Sequence, residues 1–226
     1  MVNASFRRGV RYGGRTVLLA LVTAAMTWTW TAQARALGGG IFGYNEVRSD
    51  DLGPFVKWTG MLDRFLQEDG AADGDCTSTQ YNACHHQEWQ SLIADLRGLD
   101  LESQLDRVNR FMNERRYIVD PINWGVRDYW ATPGQFFRKQ GDCEDYAIAK
   151  YLTLRQLGIS DAQMRIVVLQ DLNLGIPHAV LAVATPDGTM ILDNQISQVV
   201  DDRVIRHYQP IYSINESAWW LHRPPS

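Results

Sequence analysis

The apolar pattern of this chain changes period once, and that change restricts the folds open to it. As far as Met112 the large apolar side chains recur every three or four residues. Phe55, Trp58, Leu62, Phe65 and Leu66 form one such set; Trp89, Leu92, Ile93 and Leu96 a second; Leu101, Leu105, Val108, Phe111 and Met112 a third. Stripes of this kind are the buried faces of helices. Asp120-Pro121 breaks the pattern. Thr132-Pro133 then reads as the cap and first residue of a short helix carrying Phe136 and Phe137. Gly141 ends that turn, and a longer helix from Asp142 to Leu157 stops at Gly158. Beyond Gly158 the alternation is two-fold. Met164 to Leu169 predicts a buried strand, and Arg206 to Ser213 another. Between them, His178 to Ala184 and Thr189 to Leu192 flank the turn Thr185-Pro186-Asp187-Gly188 as a hairpin. Helices first and antiparallel strands afterwards predict an α+β fold, with N-terminal helices packed on an antiparallel sheet.

Residues 1–36 read as an address rather than as part of that fold. Arg7, Arg8, Arg11 and Arg15 precede an apolar stretch from Val17 to Trp30, and small residues follow, with Ala32-Gln33-Ala34 or Ala34-Arg35-Ala36 as the cleavage site. This is the order of a secretory signal peptide. Its apolar core, about 14 residues long, is short of the roughly 20 needed to span a bilayer. Residues 37–226 are left as one domain without linker or repeat. The leader holds five of the chain's 22 basic residues and none of its 26 acidic ones, so the body carries 17 basic residues against 26 acidic. A surface that acidic does not track a phosphate backbone, and nucleic acid is excluded as a general partner.

Export implies an oxidising compartment, and that governs how the cysteines are read. Cys76 and Cys84 lie in a polar, turn-rich segment and are expected to form a disulfide. The alternatives are a zinc site, because His85-His86 follows Cys84 directly, or two unpaired thiols. In each case Cys143 is left over, and an odd cysteine in an exported chain is a candidate reactive thiol.

Cys143 opens the Asp142–Leu157 helix, so its sulfur lies beside free backbone N–H groups, which favour a thiolate. A nucleophile of this type needs a base and an orienting group behind the base. His178 at the start of a strand and Asp193 at the end of the next suit those roles. A two-residue hairpin loop pairs position 182 with 193, and a four-residue loop pairs 180 with 193. Both registers put His178 and Asp193 on the same face of the sheet. Only the second makes them diagonal neighbours, roughly 7–8 Å apart at the backbone.

Asp128-Tyr129-Trp130-Ala131-Thr132-Pro133, followed by Gly141-Asp142-Cys143-Glu144-Asp145-Tyr146-Ala147-Ile148-Ala149-Lys150-Tyr151, closely resembles the bacterial transglutaminase-like cysteine proteinases. His178-Ala179-Val180-Leu181, Leu192-Asp193-Asn194 and Pro210-Ile211-Tyr212-Ser213-Ile214-Asn215 resemble later blocks of that family in the same order. The resemblance implies a papain/transglutaminase-like cysteine proteinase fold and a Cys143, His178, Asp193 catalytic triad for peptide-bond hydrolysis. It also implies calcium dependence, a large surface adhesin as substrate and an inner-membrane receptor as regulator. Transamidation by the same triad, and a catalytically idle binding module, are the other function classes. Gln135 stands where the family has an acidic residue.

Asp142, Glu144 and Asp145 crowd the thiol with negative charge. One carboxylate about 6 Å away, at an effective dielectric near 20, disfavours a thiolate by roughly 3 kcal/mol, about two pKa units. Capping of the helix accounts for their presence but not for a working nucleophile. Calcium (Ca2+) held by some of Asp142, Glu144 and Asp145, with backbone carbonyls of a neighbouring loop, would offset that field. For the second oxyanion donor beside the Cys143 N–H, the Trp130 indole is one option, although a tryptophan there is expected to pack in the core.

Overall fold

The computed structural model describes residue 37 and residues 40–68, 76–77 and 81–225. The leader expected over residues 1–36 lies outside them. A short strand β1 (Asn45–Ser49) precedes the helices α1 (Val56–Glu68), α2 (Ala83–Leu96), α3 (Leu101–Asn113), α4 (Asp120–Asn123), α5 (Pro133–Lys139) and α6 (Cys143–Gln156). The strands β2 (Met164–Asp171), β3 (Ile176–Ala184), β4 (Thr189–Leu192), β5 (Val200–Asp201), β6 (Tyr208–Ile214) and β7 (Trp219–Arg223) follow. All seven strands pair antiparallel in the order β1-β7-β6-β2-β3-β4-β5. This is the expected α+β arrangement. No alternation in the sequence announced β1, β5 or β7: the first is polar (Asn-Glu-Val-Arg-Ser), the second only two residues long, and the third opens Trp-Trp.

The helix boundaries follow from local chemistry. Asn82 caps α2 by accepting from the N–H groups of Cys84 and His85 at 3.0 and 3.1 Å. Asp100 caps α3 through Ser103 N–H at 2.9 Å. Thr132 and Gln135 form a reciprocal capping box on α5 with Pro133 in its first turn, as the Thr-Pro pair predicted. The Gln135 amide also donates to the Tyr129 hydroxyl at 2.9 Å, so a neutral side chain serves at this position. Gly158 follows α6 at φ 93°, a conformation open to glycine at little cost. Cys76 and Cys84 are joined as a disulfide, with Cα atoms 5.2 Å apart, which removes the zinc reading. No helix among the described residues is long and apolar enough to cross a membrane.

The sheet has apolar packing on both faces. Met164, Ile166, Leu181, Val183 and Leu192 face the helices, in one core with Trp58, Ile93, Leu105 and Ile148. Val167, Leu169, Val180, Ala182 and Ile191 face the other way, against Leu37, Ile41, Ile205 and Tyr208. Strands covered on both sides read as continuous apolar runs, which is what β2 and β3 do. Helix α6 is enclosed more completely still: every residue from Asp145 to Leu154 is buried. It lies against β2 and β3 and is flanked by α3 and α5. An amphipathic stripe is therefore missing from α6, as it is from any helix without a wet face.

Candidate active site

The fold brings together the N-terminus of α6 and the start of β3. In the hairpin, Ala184 pairs with Thr189 and Leu181 with Leu192. The loop thus has four residues, and Asp193 has just left the ladder diagonally across from His178. β4 ends there, so among the described residues β3 has no strand beyond β4's end along its His178–Val180 edge. Cys143 reaches this edge, where the backbone N–H of Ala179, the residue after His178, partly offsets the effects that disfavour its thiolate.

His178 Nε2 lies 2.9 Å from Asp193 Oδ1, both side chains buried. Burial alone would push the Asp193 carboxyl up. Hydrogen bonds from His178, the Gln195 N–H (2.8 Å) and the Tyr208 hydroxyl (2.6 Å) outweigh it and hold the group below its ordinary value. An ionised carboxylate only accepts, so Nε2 carries the hydrogen and Nδ1 keeps the lone pair. The exposed side chain of Gln195 stands 3.4 Å from that Nδ1 through its amide nitrogen. Asn113 donates to the Asp193 carbonyl at 2.7 Å and fixes the turn that carries the carboxylate. Lys150, on α6, is fully buried and donates to Asn109 Oδ1 at 2.8 Å. Asn109 in turn holds the carbonyls of Ile196 and Ser197. Burial pushes the Lys150 amine down to about 7, with Asp193 pulling the other way.

The Tyr208–Asp193 bond supports a prediction on stability. Because its folded pKa lies below the ordinary 3.8, Asp193 stabilises the fold fully above that pH. The stabilisation is lost as pH falls through the folded value. Tyr208→Phe removes one donor to a buried charge, which costs about 1.5–3 kcal/mol. The variant is expected to unfold at lower denaturant at pH 7, and its acid unfolding should begin at higher pH than that of the native chain. Equal midpoints in urea across that range would show that the Tyr208 bond carries no such weight.

The nucleophile sits in the acidic surroundings expected of it. Burial pushes the Cys143 thiol well up, and Glu144 and Asp142 add to the effect. The thiol donates to Glu144 Oε2 at 3.2 Å. The three carboxylates that converge are not the three adjacent in sequence. Asp120, Asp142 and Glu144 bring one oxygen each within 4.8 Å of one another. Asp145 turns inward instead: it accepts from Ala131 N–H at 2.7 Å and from Asp142 N–H at 3.4 Å, a capping role in the core. The reason is helical geometry, which sends consecutive side chains in different directions. Asp120, at the start of α4, takes the place that adjacency would have given to Asp145. Tyr129 N–H binds one of its oxygens.

This cluster fits a hard cation. Asp120 Oδ1 and Asp142 Oδ1 are buried and have no hydrogen-bond partner. Burial, and then the neighbouring carboxylates Asp142 and Asp128, push Asp120 up to about 6. Burial followed by Asp142 pushes Glu144 up to about 8. Three oxygen donors, two orphaned and all short of positive charge, are the ligand chemistry of calcium. Trp130 is only 7% exposed and packs edge-on against Trp58 at 6.2 Å, in the core rather than over the thiol. Sequence reasoning passed over Tyr208 and Asn113, and read Asp120 only as part of a helix-breaking Asp-Pro pair. That Asp-Pro start to a helical turn, 22 residues before Asp142, was the available signal.

The sequence profile of the bacterial transglutaminase-like cysteine proteinases (BTLCP) matches residues 74–221. No curated protein matches the chain. Among solved structures, Legionella pneumophila LapG is similar at 33% identity and a TM-score of 0.58, over 71% of this chain and 87% of that one. Its calcium-bound form is similar at 32% identity and TM-score 0.58, covering 71% and 87% of the two chains. Its EGTA-treated form reaches 33% and 0.59, over 73% and 87%. The match spans the α6 and β3–β4 blocks together, and the chain belongs to the bacterial transglutaminase-like cysteine proteinases as a LapG-like cysteine protease.

Proposed function

We propose that the chain is an exported, calcium-dependent endopeptidase whose triad is Cys143, His178 and Asp193, with residues 1–36 as a cleaved leader and residues 37–226 as one catalytic domain. The observation that carries this reading is the His178–Asp193 contact at 2.9 Å, formed beside the strand edge that the Cys143 sulfur approaches. His178 Nδ1 takes the thiol proton as Sγ attacks the peptide carbonyl carbon. The carbonyl π pair moves to oxygen, where the Cys143 N–H receives it. Collapse breaks the C–N bond, and His178 returns the proton to the leaving amine. Water then enters with His178 as base, releasing the acid and the thiol. Asp193 holds the imidazole tautomer throughout, while Tyr208 and Asn113 hold Asp193.

Asp120, Asp142 and Glu144 are the side chains that would hold calcium, whose charge offsets the field disfavouring the thiolate. Calcium-bound and EGTA-treated forms of LapG have been solved, which supports a calcium role here. By the family resemblance, the substrate is a large surface adhesin and the regulator an inner-membrane receptor. The disulfide and the Arg-led leader both suit a periplasmic enzyme.

Cells carrying the native chain are expected to shed a surface protein that cells carrying Cys143→Ala retain. Identical shedding ends the adhesin reading. Incubation of the purified protein with a Gln peptide and a labelled amine should leave the amine unincorporated. Its incorporation would make the enzyme a transamidase.

A further inference from the structure

The backbone N–H of Cys143 belongs to the first residue of α6, where no intrahelical acceptor exists. The Tyr117 hydroxyl lies near enough to that N–H to feel its dipole. Three features put the Tyr117 ring beside the N-terminus of α6. Tyr117 bridges in parallel to Gly141, two residues before Cys143, and the next N–H, that of Ile118, donates to the Gly141 carbonyl at 2.9 Å. The ring lies nearly flat against Tyr146, three residues along α6, with centroids 6.4 Å apart and an interplanar angle of 18°. Tyr117 is also 50% exposed, so the ring can shift towards solvent when a substrate enters. Burial, then the Cys143, Asp142 and Glu144 charges, push its hydroxyl above the ordinary value. A tyrosine hydroxyl, ordinarily titrating at about 10, keeps its proton in the working range and remains a donor.

We propose that Tyr117 is a catalytic residue, the second oxyanion donor, its O–H converging with the Cys143 N–H on the carbonyl oxygen under attack. The proposal rests on Cys143 being the nucleophile. When Sγ bonds to the carbonyl carbon, the π pair moves to oxygen. That oxygen accepts from the Cys143 N–H, and the Tyr117 O–H donates to it in turn. On collapse the pair returns, the bond to the leaving group breaks, and Tyr117 has neither lost nor gained a proton.

Two reactions of the same sulfur separate this role from a structural one. Alkylation by iodoacetamide displaces iodide at a saturated carbon and forms no oxyanion. Acylation by p-nitrophenyl acetate passes through a tetrahedral oxyanion and releases p-nitrophenolate. In calcium-containing buffer, Tyr117→Phe is expected to alkylate within about two-fold of the native protein, and to lose roughly 10²-fold or more in acylation, the scale set by removal of one oxyanion donor. Acylation equal to native overturns the proposal. So does a parallel fall in both reactions, which would mark a structural role, and so does faster acylation, which would make the hydroxyl a plug. If the native chain releases no p-nitrophenolate beyond that of Cys143→Ser, the nucleophile reading fails first and takes this proposal with it.

Discussion

Replacing Asp193 by Asn should lower turnover by roughly 10³–10⁴-fold while leaving the chain folded, the loss seen when a triad carboxylate becomes an amide. The physical reason lies in the tautomer. Asp193 accepts from His178 Nε2, from the Gln195 N–H and from the Tyr208 hydroxyl. An amide of the same shape must place its own NH₂ against at least one of these donors. If the NH₂ turns to His178, Nε2 becomes the acceptor and the hydrogen moves to Nδ1, the atom that must take the thiol proton. The base is then lost although the ring has not moved. The measurement is p-nitrophenolate release by Asp193→Asn and native protein at equal thermal stability. Turnover within about ten-fold of native would remove Asp193 from the triad.

Chelation is the second large effect. Asp142 and Glu144 flank the thiol, Glu144 only 3.2 Å from the sulfur. One carboxylate charge, even at about 6 Å and an effective dielectric near 20, disfavours a thiolate by roughly 3 kcal/mol. Excess EGTA is therefore expected to lower Cys143 alkylation and peptide cleavage by about 10²-fold or more, and added calcium to restore both. Asp120→Asn should raise the calcium concentration needed for half-activity, because it strips one oxygen donor from the cluster. Asp145→Asn should leave that concentration where it was and lower stability instead, since its carboxylate serves Ala131 and Asp142 N–H groups in the core. Full activity in excess EGTA would refute the calcium requirement. An Asp145→Asn protein of native stability with a raised calcium requirement would put Asp145 back into the metal site.

The parts of this molecule legible in the sequence are those written within one segment or by strand parity. The Gly141–Tyr151 block marks a thiol at a helix start, and two-fold alternation puts His178 and Asp193 on one face whichever hairpin register holds. Which register holds is decided by the four-residue Thr185–Gly188 loop, and sequence left that open. Asp120 and Tyr117 were not legible, because they meet the α6 terminus only when the segment after α3 folds back alongside Gly141. Asp145 lies apart from the acidic cluster for the opposite reason: adjacency along a helix is not adjacency in space. β1 and β7 were missed since polar residues and paired tryptophans carry no alternation, and their pairing with each other depends on β6 being in place.

Helix α6 has a consequence for where this enzyme can breathe. Its residues from Asp145 to Leu154 are all enclosed, so their amide hydrogens can reach deuterated solvent only when the whole domain opens. The turn after Asp193 is tied down largely by side-chain amides, Asn109 and Asn113, and it can open locally. The sulfur thus sits at the head of this enclosed helix, and the carboxylate behind the base on a turn expected to exchange faster. A signal that retunes catalysis without melting the protein is expected to act on that turn.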